Sequence, residues 1–265
     1  MQIHKARWFW LVFLCLSTHA LLDSFTVYGT QLIWPLSEHP YAISNIFIID
    51  PLYTLPLLLA FLCTLIPKIH TPRIYKINAA MLVLSSLYLC SSLILKVIIN
   101  NKIDAAYAHK HIHINNYVST PAPLTTLLWR VVAMSDGQYY ISYASVFDSP
   151  EEVTINRYNT SPALLNDIKN EWGVQRLQWF TKGFYSVKEQ QNKIVLSDLR
   201  MGMECYYVFN FAVGEKTNKG VQVSNFEKLN QRSNLSSLNK VWGRIWNPDV
   251  SLAPPYADKN CMKTP

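Results

Sequence analysis

The chain has 265 residues, half of them hydrophobic and 15% charged, with 24 Lys and Arg against 17 Asp and Glu for a formal net charge of +7. A basic balance suits nucleic acid only where Lys and Arg cluster, and no helix or block dense in them occurs, so direct nucleic-acid binding is not expected. The apolar sequence is concentrated in the first hundred residues, which points to a bilayer, where basic residues serve as cytoplasmic anchors and meet anionic membrane lipid.

Trp8 to Leu22 is apolar apart from Ser17, Thr18 and His19, and follows Lys5 and Arg7. As a helix it covers about 22 Å, short of the ~30 Å hydrocarbon core, so it reads either as a marginal span or as a cleavable signal peptide, with Thr18-His19-Ala20 similar to a small-residue cleavage site. At its end stand His19 and Asp23, an i, i+4 pair that shares one helix face and can meet a single cation. A loop from Ser24 to Asn45 contains Gly29, Pro35 and Pro40 and no Lys or Arg. Asp50 before Pro51 reads as an N-cap with proline at the first helical position. The helix it opens runs to Ile66, with Pro56 expected to kink it and Pro67, Lys68, Pro72, Arg73 and Lys76 ending it in a basic turn. Ala79 to Ile99 is the clearest span, with Lys96 placed to snorkel. Basic residues before the first segment and between the second and third put the N-terminus and that second loop in the cytoplasm. Three crossings then leave the His19/Asp23 end and everything after residue 100 on the outer side.

The second part opens with a linker, 101–123, in which His109, His111 and His113 alternate. A strand would face all three to one side for a metal, but no fourth ligand follows at useful spacing, and a solvated linker is the preferred reading. Beyond it, Thr125 to Met134, Gln138 to Phe147 and Glu152 to Tyr158 read as strands, with Ser135-Asp136-Gly137 a turn. Pro162 to Trp172 and Val174 to Phe180 have helical spacing. Phe184 to Lys188, Lys193 to Leu199 and Cys205 to Val213 complete an antiparallel set. The fold class expected is therefore a membrane α-helical part of about three helices (1–100), the linker, a small α+β domain with a mostly antiparallel sheet (124–215), and a polar, partly ordered tail (216–265). No repeat, Gly-rich phosphate loop or GxSxG elbow occurs. Of the five cysteines, Cys15, Cys63 and Cys90 lie in apolar segments, and no CxxC or CxxH spacing supports a thiolate zinc site. A Cys205–Cys261 disulfide is open to the chain if that part is extracytoplasmic.

An ionisable group beside a bilayer needs a partner or water. His19 and Asp23 read either as interfacial polar groups or as two ligands, imidazole and carboxylate, of a divalent cation that activates water. Two ligands are fewer than the three or four a tight site takes. Asp50 can supply a third ligand or a base, although its N-cap role explains it equally well, and Glu38 and His39 are weaker candidates.

Three stretches, His19-Ala20-Leu21-Leu22-Asp23, Thr26 to Leu32 with Trp34-Pro35, and Phe47 to Pro56, resemble the bacterial inner-membrane metal-dependent hydrolase family, one branch of which is described as LexA-binding. Leu128 to Val132, Leu177 to Tyr185 and Asp198 to Gly202 are similar to further family segments, so the resemblance covers roughly 7–215. It implies a membrane-bound hydrolase with a divalent metal (zinc, manganese or magnesium) on histidines and aspartates at the membrane boundary. His19 and Asp23 correspond to the family's His-x-x-x-Asp motif, and Asp50 to its Asp-Pro motif. The family's upstream histidine, Pro-Asp-x-Asp and Arg-Gly-x-Thr/Ser-His-Ser motifs are not in this sequence. The expectation is thus a truncated multi-pass inner-membrane hydrolase, inactive alone, whose partners are membrane lipid and a protein or the missing N-terminal half in trans. The alternative is a non-enzymatic membrane protein whose C-terminal domain binds a partner. Regulation through a LexA-like repressor conflicts with an outward C-terminal domain.

Overall fold

The computed structural model describes residues 5–66, 71–218, 220–229 and 237–254. The chain divides into two compact units, Met1–Ile98 with Thr120–Leu127, and Ile99–Ser119 with Leu128–Pro265.

The first unit holds α1 (Lys5–Asp23), α2 (Pro51–Thr64) and most of α3 (Thr71–His109). Its apolar side chains are turned outward: α1 buries no residue, and Trp8, Leu16, Leu59, Phe61, Leu82 and Leu87 are all more than half exposed. An all-round apolar surface of this kind is stable against lipid rather than water. Among the described helices, Pro72–His109 is the one long and apolar enough to cross a membrane, and it contains the span expected from Ala79 to Ile99. The three crossings expected from sequence have no such counterpart in the other two helices. With 14 residues α2 reaches only about 21 Å, and α1 spends four of its positions on Lys5, Arg7, His19 and Asp23.

Between α1 and α2 the chain doubles back. Thr30 and Tyr41 exchange backbone hydrogen bonds of 3.1 and 2.9 Å, and the N–H groups of Ile43 and Asn45 donate to the carbonyls of Ser24 and Phe25. Gly29, at φ +68°, makes the turn into this pairing.

In the second unit, the stretch read as a linker is instead the end of α3 and a strand. Ile99, Ile103, Ala106 and Tyr107 are buried, at spacings of one helix face, and the Tyr107 hydroxyl lies 2.7 Å from Ser142 Oγ. That stripe follows the membrane run without a break, which hides it in the sequence. β1 (Asn116–Pro121), β2 (Leu128–Ser135), β3 (Gln138–Ser145) and β4 (Thr154–Asn159) form one sheet in the order β1-β2-β3-β4. β2–β3 and β3–β4 are antiparallel, the first of these pairs turning at Asp136-Gly137 as the sequence indicates.

The second sheet has the order β10-β9-β6-β5, all its pairs antiparallel, from β5 (Tyr185–Gln190), β6 (Lys193–Asp198), β9 (Asn210–Thr217) and β10 (Gly220–Lys228). A two-stranded ribbon, β7 (Gly202–Met203) with β8 (Tyr206–Tyr207), interrupts it. Pro162–Ile168 is a 3-10 helix where an α-helix was expected, and α4 (Trp172–Thr181) follows. Leu165, Ile168 and Val174 from these helices pack on Val187, Ile194, Leu196 and Val213 of the sheet.

Among the described residues, the polar tail expected from 216 onward contains regular elements. It supplies the end of β9, all of β10, and α5 (Ser237–Trp246), whose Val241, Arg244 and Ile245 are buried. Pro67, Lys68, Pro255 and Cys261 lie outside the described residues.

Candidate functional site

The last turn of α1 carries the His19/Asp23 pair, with Nε2 and Oδ2 3.6 Å apart and the side chains 77% and 47% exposed. The backbone just after it is closed locally. Ser24 Oγ donates to the Leu21 carbonyl at 2.6 Å, and Thr26 donates to the Asp23 carbonyl through both its N–H and its Oγ1. The two side chains are thus held near each other by helix periodicity and open to the surroundings.

Asp50 is in a different situation. It is buried, its Oδ1 accepts the N–H groups of Leu52 at 3.0 Å and Tyr53 at 3.4 Å, and its Oδ2 accepts the Tyr88 hydroxyl at 2.8 Å. Both oxygens are engaged, one in the N-cap of α2 that Asp50-Pro51 foretells, the other across to α3. His19, Asp23 and Asp50 do not come together as a ligand group, and among the described residues no set of three or more His, Cys, Asp or Glu is arranged to hold a metal. His109 ends α3, and His111 occupies a left-handed turn position at φ 52°.

Sequence reasoning took Lys96 as a snorkelling residue and missed the polar ladder on α3 to which it belongs. Ser85, Tyr88, Ser92 and Lys96 recur at helical spacing in an otherwise apolar span. Each reaches a different part of the α1–α2 segment: Ser85 Oγ donates to the Tyr53 carbonyl (2.9 Å), Tyr88 to Asp50, and Lys96 Nζ to the Ser44 carbonyl (3.2 Å), while Ser92 Oγ accepts from Asn45 Nδ2 (2.6 Å). The Tyr88 hydroxyl is also 3.2 Å from Thr126 Oγ1. Ser44, Asn45, Asp50, Ser85 and Ser92 are all buried. Buried polar groups facing one another within an apolar helix array are costly unless paired, and here the pairing clamps the loop and α2 to the long helix. The signal available in the sequence was the 3-4-4 spacing of polar residues.

The second unit holds a buried carboxylate, Glu204, in the turn between β7 and β8. Its Oε2 accepts the hydroxyls of Tyr139 (2.7 Å) and Tyr207 (2.8 Å), and its Oε1 accepts Lys188 Nζ (2.8 Å), which also donates to the Tyr139 hydroxyl. Burial first, and the neighbouring carboxylate second, push both phenols up from their ordinary value. Arg130 donates to the Leu199 carbonyl at 2.7 Å with its guanidinium 5.8 Å from the Tyr207 ring. Nothing in Met203-Glu204-Cys205 marks Glu204 as buried, because Tyr139 and Lys188 come from the distant strands β3 and β5, and only Tyr207, on the adjacent β8, is local. Chemically this set is a lock, since four groups satisfy one another. Cys205 beside it is disulfide-bonded, whereas Cys15, Cys63 and Cys90 are free.

No curated protein and no solved structure matched the chain. Residues 1–99 match the family model of the YdjM inner membrane protein, and this similarity, with the apolar α3, supports a membrane location.

Proposed function

We propose that the protein is an inner-membrane metal-dependent hydrolase in which His19 and Asp23 bind a divalent cation at the membrane boundary. The observation that carries the reading is the 3.6 Å separation of two exposed donors on one helix face. Donors about 2.1 Å from a common metal sit about 3.4 Å apart in tetrahedral geometry, so small rotamer changes bring this pair into range. His19 and Asp23 would hold the cation, which when bound would supply Lewis-acid activation of water for hydrolysis. Neutral imidazole and ionised carboxylate are the forms His19 and Asp23 must take, and their exposure leaves room for water, substrate and further donors from a partner. In this reading Asp50 is a positioning residue. Expected from sequence as a third ligand or base, it instead fixes the start of α2 and its tie to Tyr88.

The second unit is placed outside the cytoplasm in this proposal. The disulfide at Cys205 supports that side, because such bonds persist in oxidising compartments. A topology reporter fused after Pro265 is expected to read extracytoplasmic, and a cytoplasmic signal would reverse the orientation.

Metal analysis of the full chain purified in nanodiscs and dialysed against zinc, manganese or magnesium tests the site. Stoichiometric metal is expected in the unaltered protein and its loss in both His19→Ala and Asp23→Ala, while full occupancy in both variants would sink the assignment. The alternative, a non-enzymatic membrane protein whose C-terminal domain binds a partner, is favoured by one observation, the complete engagement of Asp50. No bound metal in the unaltered chain would select it.

A further inference from the structure

The face of α5 opposite its buried side is aromatic and uncovered. Trp242 and Trp246 stand one turn apart and are 61% and 62% exposed, and Phe147, 59% exposed, stacks on Trp246 with ring centroids 4.9 Å apart. The patch is rigidly mounted. Arg244, between the two tryptophans, pairs with Asp148, and Ser145 Oγ donates to the Ile245 carbonyl at 2.7 Å.

Its position relative to α3 gives it meaning. Lys102 of α3 donates to the carbonyls of Ser145 and Val146, at 2.8 and 3.1 Å, immediately before Phe147. Lys102 stands one turn beyond Ile98, where the outward apolar residues Ile94, Val97 and Ile98 of the helix end. The aromatic patch is therefore tied, within the second unit, to the part of α3 that follows this apolar stretch in the chain. Two turns further, about 12 Å along the axis, Lys110 Nζ donates to the Val153 carbonyl beside the exposed acidic pair Glu151 and Glu152. Within the second unit, the part of α3 next to the apolar stretch in the chain thus holds the aromatic patch through Lys102, and the part further on lies beside the carboxylates. Exposed Lys240 on α5 adds a cation at the aromatic level. Tryptophan concentrates at the headgroup layer, where its ring is half in hydrocarbon and its N–H wet, and nearby cations favour anionic headgroups.

We propose that Phe147, Trp242 and Trp246 form a membrane-interface anchor that seats the second unit on the headgroup layer of an anionic bilayer. The inference rests on α3 crossing the membrane, and the test separates the two. The full chain, with Cys15, Cys63 and Cys90 changed to Ser, is labelled with the fluorophore NBD at Trp242→Cys, Phe147→Cys, Glu151→Cys or Leu87→Cys. Each variant is placed in nanodiscs of phosphatidylethanolamine and phosphatidylglycerol carrying shallow or deep doxyl quenchers. At positions 242 and 147 the expected result is blue-shifted emission, quenching by the shallow probe and loss of access to iodide, with water-like emission at 151 and deep quenching at 87. Water-like emission at both 242 and 147 would overturn the anchor while the reading at 87 still reports the span. A blue shift at those positions without doxyl quenching means that protein covers the patch and overturns the lipid assignment. Absence of deep quenching at 87 removes the span, and the anchor with it.

Discussion

Arg244 grips Asp148 through two parallel hydrogen bonds, Nη1 to Oδ1 at 3.0 Å and Nη2 to Oδ2 at 2.7 Å, with both side chains almost wholly buried. A third bond runs from Nη2 to the Tyr143 carbonyl, and Asp148 also accepts the Ser145 N–H. A residue from the last described helix thus completes the end of β3. Removing one partner of a buried pair strands the other charge, at a cost of about 3–5 kcal/mol. Arg244→Ala is expected to lower the urea midpoint of the second unit accordingly. Arg244→Met combined with Asp148→Asn, which removes both charges together, is expected to recover a large part of the loss.

Asp50 separates structure from chemistry by a single pair of substitutions. Asp50→Ala removes the N-cap of α2 and the acceptor for Tyr88, and loss of the cap alone costs about 0.5–2 kcal/mol. Asp50→Asn retains an acceptor oxygen for the cap and a polar group towards Tyr88. Thermal unfolding in detergent is expected to show a clear drop for the alanine variant and a small one for asparagine, with metal content unchanged in both. Loss of metal in Asp50→Asn would make it a ligand after all.

The elements readable from sequence were those whose signal is local. Asp50-Pro51 announced the start of α2, Ser135-Asp136-Gly137 the β2–β3 turn, and β-branched and aromatic runs bounded by turn residues the strands β2 to β6, while β1 and β10 lay in stretches read as linker and tail. The His19/Asp23 proximity followed from helix periodicity alone. What stayed hidden depends on distant partners. The residues after Ile99, up to Tyr107, read as the start of a linker until Ser142 faced Tyr107, and Arg244 looked like a tail residue until Asp148 faced it. Glu204 could not be told from a surface carboxylate without Tyr139, Tyr207 and Lys188.

The buried phenols make stability fall at alkaline pH. Tyr139, Tyr143 and Tyr207 have pKa values raised above the ordinary 10.0, chiefly by burial. Their folded pKa lies above the unfolded one, so the stabilisation is complete below about pH 10 and is lost as pH rises towards the folded values. Phenolate absorbance of the native protein should therefore lag behind that of the urea-unfolded chain and rise together with the loss of β-sheet signal. Glu204→Gln, which removes the neighbouring negative charge, should let Tyr139 and Tyr207 ionise at lower pH. A native titration that coincides with that of the unfolded chain would contradict the buried assignment.

Gly29 carries the last prediction, and Gly183 supplies its control. Both glycines have positive φ, +68° and +83°, a region that costs another L-residue about 1–2 kcal/mol. A Cβ at Gly183 meets nothing within 4 Å, whereas one at Gly29 runs into the Tyr41 carbonyl and the Ala42 side chain. The Tyr41 carbonyl is the one that accepts the Thr30 N–H, so the loop cannot retreat without giving up its pairing. Gly183→Ala is expected to cost only the backbone penalty, while Gly29→Ala adds the steric conflict and opens the loop between α1 and α2. Hydrogen exchange reads this directly: the amides of Thr30 and Tyr41 should lose protection in Gly29→Ala, with those of α3 unchanged. Retained protection at both amides would mean that the backbone accommodates the methyl group and that the close approach at Gly29 does not hold the loop.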